Sequence, residues 1–152
     1  MKLFKVSAAI LFCIISFCVN AQTVSAVKPD PEKKMGEYSD WKISEVKFED
    51  GTTATIEYRL ALIARKGIAC HYDFEVKNTS SANVKVKLKS SYSDKLVKGL
   101  FHEEAKESLK AGKSVVARFI AQGCKKDKGA AELEPYAQCM ACNFYVDITV
   151  SK

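Results

Sequence analysis

The chain has 152 residues, six cysteines and a formal net charge of +6 from 24 basic and 18 acidic residues. Its first twenty-one residues read as an export signal, and the 131 that remain suit one domain with a modest core and leave no room for a second. Loss of Lys2 and Lys5 with the signal lowers the charge to +4, and the remaining charges are interspersed, so no nucleic-acid partner is expected.

The signal is residues 1–21. Lys2 and Lys5 precede an apolar run over residues 8–19, and Val19-Asn20-Ala21 offers small residues to a signal peptidase. The run is too short to span a bilayer comfortably, so no transmembrane segment is expected in the mature chain. Lipid attachment at Cys18 is disfavoured by the bulky Phe17 before it. Residues 22–40 carry Pro29, Pro31, many charges and little apolar periodicity, which reads as a flexible leader.

The folded domain is expected over residues 41–152, starting at Trp41. The step from Ile43 to Val46 breaks alternation and places a bulge near Ser44 or Glu45. After Asp50-Gly51, Ile56, Tyr58, Leu60, Leu62 and Ala64 share one side of a strand; after Gly67, Ile68, Cys70, Tyr72, Phe74 and Val76 share one side of the next. A polar turn over residues 78–83 leads to Val84, Val86 and Leu88, which alternate with Lys85, Lys87 and Lys89. Residues 94–110 fit a helix stripe or a strand; Gly99 weakens the helix by about 1 kcal/mol, and residues 96–102 suit a short strand. Residues 115–121 form another strand, and Phe144, Val146, Ile148 and Val150 line the last.

Six or seven short strands with turn-rich connections predict an all-β, immunoglobulin-like two-sheet sandwich. The runs Phe-Glu-Val-Lys-Asn-Thr-Ser at 74–80 and Ser-Leu-Lys-Ala-Gly-Lys-Ser at 108–114 are similar in style to exported immunoglobulin-like domains, without identifying a family.

Cys13 and Cys18 leave with the signal. The four that stay, Cys70, Cys124, Cys139 and Cys142, are an even set in an oxidising compartment, which favours two disulfides. If residues 96–102 are a strand, the start of the strand carrying Cys70 and the loop carrying the others lie at one end. Shared strand parity, with Tyr72 and Phe144 next on the same faces, favours Cys70 with Cys142 and leaves Cys124 with Cys139. The alternative is a metal or redox centre, because Cys139-Met140-Ala141-Cys142 lets two thiolates approach one ion, with Cys70, Cys124 and His71 as further ligands. That arrangement ranks behind disulfides, since only one such pair is present and it runs into a strand, and no cofactor is expected.

Catalysis has little support. His71 and His102 are the available imidazoles, both read as surface residues, and no phosphate loop, H-E-x-x-H or G-x-S-x-G pattern occurs. Lys85, Lys87 and Lys89 project as a row, with Lys77 as a candidate neighbour across the turn. Such a row keeps an outer face solvated and can also meet an anionic polysaccharide, a membrane headgroup or an acidic protein. Asn78-Thr79-Ser80 matches a glycosylation acceptor and equally a turn-forming asparagine. The expected protein is secreted or periplasmic, with a non-enzymatic binding or interaction role at the cell envelope or outside the cell, its partner an envelope or extracellular protein or anionic polysaccharide.

Overall fold

A computed structural model describes residues 21–94, 99–122 and 135–152. The expected signal lies outside these except for Ala21. Two four-stranded antiparallel sheets pack face to face as a β-sandwich. The strands are β1 (Ala21–Val27), β2 (Lys42–Lys47), β3 (Thr53–Lys66), β4 (Ala69–Asn78), β5 (Val84–Asp94), β6 (Gly99–Leu109), β7 (Ser114–Ala121) and β8 (Tyr145–Ser151), with one short helix, α1 (Pro135–Met140), before β8. One sheet has the order β1-β8-β5-β6 and the other β2-β3-β4-β7.

Alternation drives this arrangement, since each strand turns every second residue inward. Ile56, Leu60, Leu62, Tyr72, Phe74 and Val76 from one sheet meet Val86, Leu88, Val146, Ile148 and Val150 from the other, all at 1% exposure or less save Val86. At one end of this core Tyr72 stacks on Phe144 with ring centroids 3.8 Å apart. The long edges of the two sheets are tied together by side chains. Gln22 Oε1 accepts from the Lys47 N–H at 3.3 Å, and Glu103 Oε2 accepts from the Ile120 N–H at 3.2 Å.

Three sequence expectations are corrected. Residues 22–40 are not a flexible leader: β1 pairs with β8 from Ala21 opposite Ser151 to Val27 opposite Val146, and Val27 is buried. Beyond β1, Gly36 and Ser39 donate to the Leu62 and Leu60 carbonyls, and Tyr38 bridges to Ala61. The domain therefore starts well before Trp41. A truncation of Val27 to alanine is expected to cost about 1.5 kcal/mol, two methyl groups' worth of burial; an unchanged denaturation midpoint would restore the leader reading.

The bulge is also elsewhere. β2 pairs with β3 without interruption from Lys42 to Lys47, and alternation holds because Ile43 points outward, 65% exposed. The irregularity falls in β3, between Leu62 and Ala64, so Ala64 and Arg65 exchange sides. Residues 78–83 do not join a hairpin, because β4 and β5 belong to different sheets. Lys77 consequently faces away from the lysine row and pairs with Glu57 at 3.7 Å. The ambiguous stretch resolves as strand over Gly99–Leu109; residues 95–98 lie outside the described residues.

Asn78 anchors the crossing between sheets. It is fully buried, its amide donates to the Ala82 carbonyl at 2.7 Å and the Leu109 carbonyl at 3.1 Å, and its side-chain oxygen accepts from the Ser80 N–H at 3.1 Å. Both amide hydrogens are committed inside the protein. The turn reading holds, and the side chain is not presented as a glycosylation acceptor.

Candidate functional site

The outer face of the β1-β8-β5-β6 sheet carries the lysine row. Lys85, Lys87 and Lys89 alternate with buried Val86 and Leu88, so their side chains leave the sheet at intervals of about 7 Å. Register extends the row sideways. Lys85 lies between Ser108 and Ser151, Lys87 between Lys106 and Thr149, and Lys89 between Glu104 and Asp147. Lys106, not singled out from the sequence, thus sits directly opposite Lys87. The signal for it was available only through register, because β6 had no assigned partner.

Like charges directly opposite each other destabilise an antiparallel pair. Relief comes diagonally, where Lys87 Nζ meets Glu104 Oε1 at 2.8 Å. That hydrogen bond, followed by the fields of Lys87, Lys106 and Lys89, holds the Glu104 carboxyl below its ordinary value. Asp147 is turned aside, its Oδ1 accepting from the Ala26 N–H at 2.7 Å. Between the side chains runs an open groove of about 320 Å³, lined by Lys85, Lys87 and Lys106, by Ser108, Thr149 and Ser151, and by Val86 and Glu107. Lys89 is not among the lining residues. Three lysines and three hydroxyl residues thus line the groove against one acidic residue, together with Val86, and the Thr149 hydroxyl is shared with that of Thr23 at 3.3 Å.

The cysteines meet at one end, joined differently from the parity expectation. Cys70, at the start of β4, is bonded to Cys139 in α1, with a Cα separation of 5.8 Å. The pairing of Cys70 with Cys142 assumed a strand running through Cys142. Instead α1 occupies residues 135–140 and a tight turn follows, with Asn143 at φ 49°, which brings Cys139 rather than Cys142 against β4. Tyr72 Oη donates at 3.1 Å to the Cys139 carbonyl, which also accepts from the Cys142 N–H at 3.2 Å. Cys142 is also disulfide-bonded, to a partner outside the described residues; Cys124 lies outside them as well. Cys70, Cys139 and Cys142 are therefore held as disulfides, the state ranked first from the sequence, and not as thiolates that could hold an ion with Cys124 and His71. His71 itself sits on the outward side of β4, opposite Ile120, facing away from Cys70.

The outer face of the second sheet is held by its own pairs. The Arg59 guanidinium lies between two rings, 4.4 Å from the Tyr38 centroid and 4.2 Å from that of Trp41, and bonds Glu75 at 2.6 Å. Arg118 grips Asp73 through two nitrogens at 2.6 and 2.7 Å. Burial raises the Tyr38 phenol above its ordinary value, with the carboxylates of Asp73 and Glu75 adding to the effect. These contacts fasten Tyr38 and Trp41 to the sheet and pair Arg59 with Glu75 and Arg118 with Asp73.

No family model matches the chain, and no curated protein matches it. Among solved structures, the Salmonella enterica trimeric lipoprotein SadB is similar over 87% of this chain and 60% of that chain, at 10% identity and a TM-score of 0.39. The chain spans three fifths of that protein's length, and a likeness this distant carries no argument about function. Among the described residues no helix is long and apolar enough to cross a membrane.

Proposed function

We propose that the chain is an exported, disulfide-stabilised, non-enzymatic binding module that meets an anionic partner at the cell envelope or outside the cell. The observation that carries this reading is the outer face of the β1-β8-β5-β6 sheet, where Lys85, Lys87, Lys89 and Lys106 share one surface. Lysines in such a cluster raise the local potential, attract anions over a distance and lose that attraction as salt rises. The buried Cys70–Cys139 bond fits an oxidising compartment, and the Lys2, Lys5 and Val19-Asn20-Ala21 pattern supports export.

The test is retention of the disulfide-bonded protein on an anionic matrix and its loss with salt. Replacing Lys85, Lys87 and Lys89 together by alanine is expected to abolish retention at about physiological ionic strength while leaving the unfolding midpoint within about 0.5 kcal/mol, as for exposed positions generally. Unchanged retention of the triple variant would reject this face as the binding surface.

A further inference from the structure

Resting on that reading, we propose that the groove between Lys85, Lys87 and Lys106 is a seat for tetrahedral oxyanion esters, sulfate or phosphate, carried along an extended polysaccharide. Three features of the groove point to this ligand. Its cations are all lysines, compact point charges that bind a tetrahedral oxyanion without needing planar geometry, and among the described residues that line it there is no arginine fork to grip a carboxylate through two parallel bonds. Both arginines of the opposite sheet face, Arg59 and Arg118, are already engaged with carboxylates. The register sets Lys87 and Lys106 directly opposite each other on neighbouring strands, a like-charge pair that an anion between them converts from repulsive to bridging.

Second, the hydroxyl residues Ser108, Thr149 and Ser151 line the same groove. They supply hydrogen bonds to ester oxygens and to sugar hydroxyls without adding bulk, the Thr149 hydroxyl also being shared with that of Thr23 at 3.3 Å. Third, the row is linear. Lys85 and Lys87 repeat along β5, so an extended polymer follows the strand, while Lys89, opposite Glu104 and Asp147, marks where the positive track ends.

Glu104 makes the proposal testable by a gain. It holds Lys87 by an ion pair and so competes with the ligand. Titrating the disulfide-bonded protein with dextran sulfate and with phosphomannan, Glu104→Gln is expected to tighten binding about three- to tenfold. Lys106→Ala is expected to weaken it by a similar factor and to lower the salt dependence by about one counterion, as loss of one contact to a polyanion does. Lys66→Ala, at the end of β3 in the other sheet, serves as the control and leaves binding unchanged. Polygalacturonate, a carboxylate polymer, is expected to bind at least tenfold more weakly. Stronger binding to sulfate than to phosphate, or the reverse, identifies which ester the groove takes.

Equal binding of polygalacturonate, no effect of either Glu104→Gln or Lys106→Ala, or capture by anionic phosphatidylserine vesicles in place of the polymers would overturn the groove assignment. Sensitivity to the Lys85, Lys87 and Lys89 triple replacement without sensitivity to Lys106→Ala would sink the groove alone, whereas no polyanion binding by the unaltered protein would sink both readings.

Discussion

Replacing Cys70 by alanine is expected to destabilise the protein by about 4 kcal/mol, the chain-entropy value for a bridge closing a loop of this length. The bridge spans 69 residues of sequence and ties the start of β4 to the helix that precedes β8. Both sulfurs are fully buried, so the thiol left on Cys139 is expected to label only when the protein unfolds. The pairing itself is checked by cutting the unreduced protein with trypsin and with cyanogen bromide. Cleavage after Met140 separates Cys139 from Cys142, and the expected product joins residues 67–77 to residues 129–140. Recovery of residues 67–77 joined to residues 141–152 would restore the pairing of Cys70 with Cys142.

The second large effect is expected at Asn78. Its alanine variant leaves the Ala82 and Leu109 carbonyls and the Ser80 N–H without the partner that holds them, at a cost of about 3 kcal/mol. Aspartate is a sharper probe, because it keeps the acceptor and loses the donor. A carboxylate there faces two carbonyl oxygens in a buried site, so its folded pKa is expected to rise above the unfolded value of about 4. A group bound more tightly to its proton when folded contributes stability that is full below the unfolded pKa and falls as pH rises through the folded one. Denaturation midpoints of Asn78→Asp are therefore expected to improve as pH is lowered toward 4, relative to the parent. A parallel pH dependence, or a cost for Asn78→Ala below 1 kcal/mol, would show that the turn does not depend on this side chain.

Much of the sandwich was legible because period-two alternation is strong in β3, β4, β5 and β8, where one face is core. The misses have local causes. β1 reads Ala-Gln-Thr-Val-Ser-Ala-Val, and as an edge strand it buries only Val27 fully, too little apolar signal to distinguish it from a tether. Ile43 misled because an apolar residue on an outward face looks like a break in alternation. Helix α1 has six residues, fewer than two turns, so no helical period accumulates; Pro135 at its start was the available cue. Without that helix the sulfur at Cys142 seemed the better partner.

The candidate site was half legible. Lys85, Lys87 and Lys89 stand out along one strand, but Lys106, Ser108, Thr149 and Ser151 join them only through register across β5, β6 and β8. A strand's own sequence says which side chains share its face and nothing about which neighbour it pairs with.

The position of β8 has a consequence for how the chain is made. The last of the described strands lies inside its sheet, between β1 and β5. As a nascent polypeptide is delivered from its amino end, β5 and β6 pair while one edge of β5 stays open, and β1 waits with no backbone partner at all. Only when Tyr145–Ser151 arrives do both edges close, and with them the inner layer formed by Val146, Ile148 and Val150. A message or transit that halts before Tyr145 therefore yields a chain with two bare strand edges and an unroofed core, a species suited to proteolysis or clumping and unable to present the groove, whose far wall is Thr149 and Ser151.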